Sequence, residues 1–365
     1  MPRRKTLAAI ILNDTTNINS IRQMTKFLIL LYSTLTVLTS CNGQVKTNSI
    51  DTVKTKTGKK ERFQKSGNAV KDNEGNIWFV GEKGEGLYSY NPSLKEYTSY
   101  STKDGLSFNI VFTVYKDEEG KIWAGTADGI TCYDGKIFCV IPITKITGDP
   151  NYQPTKLHPQ FGFPQPEKNW VVSIMQDKKG IFWFGTHTGI YRYDGKSYSH
   201  FTHNDGVANS TGVSINLVES ILEDSSGNIW FGGRGTNGVF CYDGNILTNY
   251  QPNKTEWLFP IYQDKKGDIW FSSRCACLYR KSSDTFSLFN SPSFNDFVFD
   301  MTQDNSGNYL FGNIVYDGKT FSQINDQYSG QTLLNANGEN LWFKTKDNKL
   351  LEYDGKGFIT LTKKE

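Results

Sequence analysis

Nineteen residues, DEEGKIWAGTADGITCYDG from Asp117 to Gly135, return as DKKGIFWFGTHTGIYRYDG from Asp177 and as DSSGNIWFGGRGTNGVFCYDG from Asp224. A unit that recurs this way cannot bury its apolar face alone and must pack on copies of itself. Aligned on Asp-x-x-Gly-x-Ile-Trp-Phe-Gly, copies start at Asp72, Asp117, Asp177, Asp224, Asp264, Asp304 and Asn335. The tryptophans fall at Trp78, Trp123, Trp183, Trp230, Trp270 and Trp342, with Leu310 in the remaining copy. The mean spacing of about 44 residues is that of a four-stranded propeller blade.

Each copy reads as an apolar strand, an Asp-x-x-Gly turn, a Trp-bearing strand, a Gly-containing turn and a third strand such as GIYRYD. An Asp-Gly hairpin, Asp194-Gly195 for instance, then leads to a short fourth strand. Radial repetition of such units hides sheet edges, so the expected fold is an all-β, seven-bladed propeller of four-stranded antiparallel blades over residues 62–365. A large flat side chain at one position of every blade fills the taper between neighbours, which makes the tryptophans packing residues. Leu310 marks the sixth blade as the loosest fit.

The repeat resembles the two-component regulator propeller family. DGLSFNIVFTVYKDEEGKIWAGTADGI, from Asp104 to Ile130, matches the family pattern along its length, and NDGVANSTGVSINLVESILED repeats its approach with an insertion. The likeness covers roughly residues 62–361. The resemblance implies a sensor module of the kind found on the periplasmic side of large histidine kinases, often responding to glycans. No second propeller, adaptor domain or kinase follows the seventh copy before Glu365, so any signalling output is expected from a separate partner.

The sequence carries 40 basic and 37 acidic side chains, but Arg3, Arg4, Lys5, Arg22, Lys26 and Asp14 all precede position 41. Without them 35 basic face 36 acidic residues, which leaves no basic field to attract nucleic acid. The segment itself reads as a secretory signal over residues 1–40, with Met24 the better start, Lys26 as the positive region and an apolar run from Phe27 to Leu38. Leu38-Thr39-Ser40-Cys41 resembles a bacterial lipobox, which would make Cys41 an acylated N-terminus holding the protein on a membrane. Residues 41–61, polar and rich in Lys and Thr, read as a flexible tether. The expected location is the cell envelope, on the outer membrane, facing the periplasm or the surface.

Propellers place ligands on the face built by the loops entering the inner strand and the turns between second and third strands. Eight residues before each copy's first residue stand Gln64, Asn109, Asn169, Asn216, Glu256, Asp296 and Gln327. A collar follows them: Lys65, Ile110, Trp170, Leu217, Trp257, Phe297 and Tyr328. This ring either binds a polyhydroxylated ligand or an ion, or caps the first strands and hydrogen-bonds to the neighbouring blade. The segment between the second and third copies stretches the Trp spacing to 60 residues and is rich in Pro and aromatics, and residues 200–214 extend the next entry. Arg234, Arg274 and His187 stand in the turns beside these segments. The candidate ligand-binding residues are therefore Asn109, Asn169, Trp170, His187, Asn216, Arg234, Glu256, Trp257, Arg274 and Asp296.

The four histidines fit no metal-ligand spacing, and neither a nucleophile elbow nor a phosphate loop is present. No cofactor and no metal are expected, and the leading reading is a non-catalytic module for a glycan or a partner protein. The alternatives are a lyase or hydrolase on the same face, with a histidine of the third or fourth blade near Glu256 or Glu219, and a structural scaffold in an envelope complex. Five cysteines follow Cys41. Cys132 and Cys241 share one repeat position and read as small core residues, Cys132 and Cys139 pair if the hairpin register allows, and Cys275 and Cys277 put two thiols on one strand face.

Overall fold

The computed structural model describes residues 69–81, 86–141, 143, 170–187, 189–201, 215–273, 277–289, 298, 301–303, 306–311, 314–323, 332–335, 341–344, 350–353 and 358–361. The signal segment, Cys41, the tether and the insertions after residues 143 and 201 lie outside them. Among the described residues, 28 strands pair into seven four-stranded antiparallel sheets, each made of four strands consecutive in the chain. The chain is an all-β propeller with four-stranded antiparallel blades.

Sheet one comprises Ala69–Lys71, Ile77–Val80, Leu87–Asn91 and Glu96–Tyr100, and sheet two Val111–Lys116, Ile122–Thr126, Gly129–Tyr133 and Phe138–Ile141. Sheet three runs from Val171–Gln176 to Tyr198–His200, sheet four from Asn216–Glu223 to Leu247–Tyr250 and sheet five from Leu258–Gln263 to Thr285–Phe289. Sheet six runs from Thr302–Gln303 to Phe321–Gln323, and sheet seven from Thr332–Asn335 to Phe358–Leu361. Burial falls outward across a blade. The second strand of sheet two, IWAGT, is buried at every position, whereas its fourth strand is half-buried to exposed. A second strand covered on both faces reads as a nearly continuous apolar run.

The core lies between sheets, with one apolar cluster at each junction from sheets one and two to sheets five and six. The tryptophan of one sheet meets an aromatic ring of the next: Trp123 lies 4.3 Å from Phe182, Trp183 5.5 Å from Phe231, Trp230 5.5 Å from Phe271 and Trp270 5.1 Å from Tyr309, centroid to centroid. Each of these indoles, and Trp78 with them, is buried. Burial of one such ring contributes on the order of 4–6 kcal/mol, an upper bound from its area. The first strands of sheets one to five lie against one another in order, and the first strand of sheet one also touches that of sheet seven.

The tryptophans do more than fill space. The Trp123 indole donates Nε1–H to Asp117 Oδ2 at 2.7 Å, while Asp117 Oδ1 accepts the Lys121 amide at 2.8 Å. The same indole-to-carboxylate bond joins Trp78 to Asp72, Trp183 to Asp177, Trp230 to Asp224 and Trp270 to Asp264, at 2.7–3.0 Å. One carboxylate therefore shapes the turn and satisfies a buried donor that would otherwise cost about 1–3 kcal/mol. In sheet six Leu310 is buried in the tryptophan's place, and the neighbouring Tyr309 hydroxyl donates back to Asp264 at 2.9 Å.

A second link crosses the junctions. Gln176 Oε1 accepts the Glu118 amide at 3.2 Å, Gln263 Oε1 the Ser225 amide at 2.6 Å and Gln303 Oε1 the Lys265 amide at 3.2 Å. Each glutamine's Nε2 donates to a carbonyl of its own turn, Gly180, Gly267 or Gly307. Glu223 does the same for the Lys178 amide at 3.0 Å, and Lys116 Nζ donates to Asn73 Oδ1 at 3.3 Å. Burial raises the Glu223 carboxyl above its usual range, and the Lys178 amide works against that shift.

The Asp-Gly hairpins are equally uniform. Asp134 Oδ1 accepts the Lys136 and Ile137 amides at 2.8 and 2.9 Å, and the Tyr133 hydroxyl donates to the Gly135 carbonyl at 3.0 Å. The pattern recurs at Asp194, Asp243 and Asp317, and the amide bonds hold all four carboxyls below the usual range.

Close approach between sheets sets the demand for glycine two residues after the tryptophan. A Cβ on Gly232 would lie 2.0 Å from the Leu258 carbonyl oxygen of the next sheet. Gly135 has open space around it and a φ of +98°. Gly232→Ala is expected to cost about 3 kcal/mol by forcing two backbones apart, and Gly135→Ala about 1–2 kcal/mol from backbone strain alone. Urea unfolding of the two variants checks this, and equal costs would contradict the close contact.

Candidate functional site

The two rims of the blades differ in kind. At one rim lie the Asp-x-x-Gly turns, built alike in sheets one to five, and the Asp-Gly hairpins, built alike in sheets two, three, four and six. At the other lie the segments entering the first strands and the turns joining second to third strands, and there the side chains change from sheet to sheet. Backbone bonds tie this second rim together. Gly86 N–H donates to the Asn109 carbonyl and Gly238 N–H to the Glu256 carbonyl, both at 2.6 Å, and Leu217 N–H donates to the His187 carbonyl at 3.3 Å. Trp257 also bridges Gly238 in parallel fashion. The entry residues and the turns of the preceding sheet thus share one face, as the sequence leads one to expect.

Inner strands present their side chains through bulges. Phe112, Val172 and Glu219 are the unpaired extra residues opposite the second strands of sheets two, three and four, and all three are half-buried. A bulge re-aims a side chain, which is why such features gather at barrel rims and binding sites. Glu219 is the charged one of the three. Its carboxylate accepts the Arg234 backbone amide at 3.0 Å and the Arg234 Nε–H at 2.9 and 3.0 Å, with Nη2 completing the fork. Leu217, two residues earlier, has a φ of +47° and is a strained neighbour of this pair.

The expected residues fall into three groups. Asn109 and Glu256 are exposed and Trp257 is half-buried, so these three stand at the rim. Asn109 is not idle, because its Oδ1 accepts the Thr102 amide at 2.7 Å, the capping role open to such a residue. Trp170 and His187 belong beneath the rim. Both are buried, their rings lie 5.6 Å apart, and the Trp170 indole also faces Phe112 at 5.5 Å. His187 Nδ1 accepts the Trp170 amide at 3.1 Å, so the imidazole positions the strand entry and is not a surface ligand. Arg234 stands on this rim half-buried and paired with Glu219. Asn216 begins the first strand of sheet four, while Asn169, Arg274 and Asp296 lie outside the described residues.

Among the described residues no group of three His, Cys, Asp or Glu side chains could hold a metal ion. His200, like His187, is buried, with its ring 4.7 Å from Tyr191. Cys132 and Cys241 are buried free thiols, as their repeat position implies, and burial pushes both up to about 12. Cys277 is disulfide-bonded.

The two component regulator propeller model matches residues 105–128, 166–188 and 212–235, the opening halves of sheets two, three and four. These three segments match the two component regulator propeller repeat. Among curated proteins it is 28% identical over 205 residues to histidine kinase P4 of Formosa agariphila, a match covering 51% of this chain and 13% of that kinase. The propeller is also similar to virginiamycin B lyase of Staphylococcus aureus bound to quinupristin, at 13% identity and a TM-score of 0.58, over 80% of this chain and 98% of that one. It resembles PorZ, a surface component of the type-IX secretion system of Porphyromonas gingivalis, at 15% identity and a TM-score of 0.54, over 77% of this chain and 45% of that one. At these identities the two structures share a fold with the repeats.

The Glu219–Arg234 pair is half-buried, so removing one partner strands the other. Glu219→Ala is expected to lower stability by about 2–3 kcal/mol, and the double replacement by Leu and Met to restore most of it. Denaturant unfolding of the three proteins measures the difference, and a neutral Glu219→Ala would mean the pair is idle.

Proposed function

We propose that this chain is a non-catalytic recognition module whose sheets close into a seven-bladed ring, and that it binds an extracellular ligand, a glycan or a partner protein, on the rim of variable side chains. One observation carries the reading. The repeats keep their chemistry at the rim of the Asp-x-x-Gly turns, whereas at the other rim a turn hydroxyl and the backbone bonds repeat but the collar residues Ile110, Trp170, Leu217 and Trp257 do not. A requirement for folding acts on every blade alike, whereas a requirement for recognition acts on one arc. The exposed Asn109 and Glu256, the half-buried Trp257 and the Glu219–Arg234 pair supply hydrogen-bonding groups beside an apolar ring, the usual makeup of a ligand face.

The likeness to part of a histidine kinase supports a sensory role. The buried settings of His187 and His200 favour binding over a lyase reaction at these two residues. Screening the full chain against oligosaccharide fragments and envelope proteins by thermal shift should give a hit. Its affinity should fall at least tenfold in Trp257→Ala and stay unchanged in Lys136→Ala at the opposite rim. A hit insensitive to Trp257, Glu256 and Asn109 replacements, or turnover of the ligand, would refute the reading.

The anchor is a separate part of the proposal. Lipidation of Cys41 after removal of residues 1–40 would hold the propeller on the membrane, outside the cytoplasm, with residues 41–61 as a tether. Cells fed labelled palmitate should label the wild-type protein and not Cys41→Ser. Equal labelling of the two would remove the anchor from the reading.

A further inference from the structure

Two thiols face each other across one hairpin. In sheet two the third and fourth strands pair Ile130 with Ile141, Thr131 with Val140, Cys132 with Cys139 and Tyr133 with Phe138. Directly opposed residues of an antiparallel pair point to the same face of the sheet. Cys132 belongs to the apolar cluster against which Tyr193 of sheet three packs, and Cys139, directly opposite it, shares that face. Counting the ladder alternation from the Asp134 amide, which donates to the Ile137 carbonyl, makes Cys132 and Cys139 a hydrogen-bonded pair. Such pairs have Cα atoms about 5.5 Å apart, within the range a disulfide spans.

Their settings are unequal. Cys139 is exposed and Cys132 is buried, and both are free thiols here. Sheet four provides a comparison within the molecule, because Cys241 occupies the position of Cys132 and faces Thr248. The pairing is therefore a property of one hairpin and not of the repeat.

We infer that Cys132 and Cys139 form a thiol-disulfide exchange site, at which a small-molecule or protein disulfide is reduced as the hairpin closes into an intrachain disulfide. The order of events follows from exposure. Cys139, as its thiolate, attacks one sulfur of the incoming disulfide, breaking that bond, forming a mixed disulfide and releasing one thiolate. The Cys132 thiol then loses its proton to solvent and attacks Cys139 Sγ, releasing the second thiolate of the reactant. Two electrons pass from the hairpin to the reactant, and two protons leave the cysteine thiols. Burial makes Cys132 a poor first nucleophile and leaves it the role of resolving thiol. The closed bridge would staple the outer hairpin of sheet two at its junction with sheet three.

Oxidised glutathione is a suitable probe. The folded full chain, purified reduced, is incubated with it, quenched in acid, alkylated after unfolding and digested with trypsin, which cuts at Lys136 between the two cysteines. The expected product is a pair of peptides joined through Cys132 and Cys139, lighter by two hydrogen atoms than the separate reduced peptides. In Cys139→Ser the joined pair disappears and Cys132 stays alkylatable, whereas in Cys132→Ala a glutathione adduct persists on Cys139. A wild-type protein that stops at the adduct, or that leaves both thiols alkylatable, would overturn the inference. This readout is independent of whether the variable rim binds a ligand.

Discussion

A buried indole N–H needs an acceptor, and in sheets one to five the acceptor for the repeat tryptophan is the carboxylate that opens the same repeat. This one bond ties three levels together. It fixes the Asp-x-x-Gly turn, because the other carboxylate oxygen holds the turn's amides. It orients the ring toward the next sheet, where an aromatic side chain receives it. It thereby allows the second strands to be buried on both faces without orphaning the indole N–H. An aspartate in so covered a place would be costly unless its oxygens were bonded, and here both are in use.

Much of this was legible in the chain. Spacing, the Asp-x-x-Gly turns and the Asp-Gly hairpins predict the strands and their order, because such turns depend on local chemistry. The tryptophans read as packing residues, and burial agrees, but the acceptor for the indole was not anticipated, since spacing alone does not reveal which side-chain atoms meet. The glutamine links had a signal that went unused: Gln176-Asp177, Gln263-Asp264 and Gln303-Asp304 repeat a Gln immediately before the turn. A polar residue recurring at a strand end deserves to be asked what it bonds.

The candidate site was less legible, for a physical reason. Position in the repeat predicts which rim a residue belongs to, and Asn109, Glu256 and Trp257 are found there. It does not predict exposure, which depends on neighbours far away in sequence. Trp170 and His187 share the rim's register yet are covered by Phe112 and by each other. Arg234 meets Glu219, fifteen residues earlier, only because a bulge in the inner strand turns that carboxylate toward it.

The glutamine links give the circle a sense of rotation. In every described case a residue of the later sheet reaches back to the turn of the earlier one, like shingles laid in one direction. A growing chain could lock each blade only when its successor arrives, so the order of synthesis would also be the order of consolidation. At the seventh copy the corresponding residue is Leu334, which has no side-chain acceptor to offer. The link that ties each of sheets two to six to its predecessor therefore has no counterpart at the seventh copy.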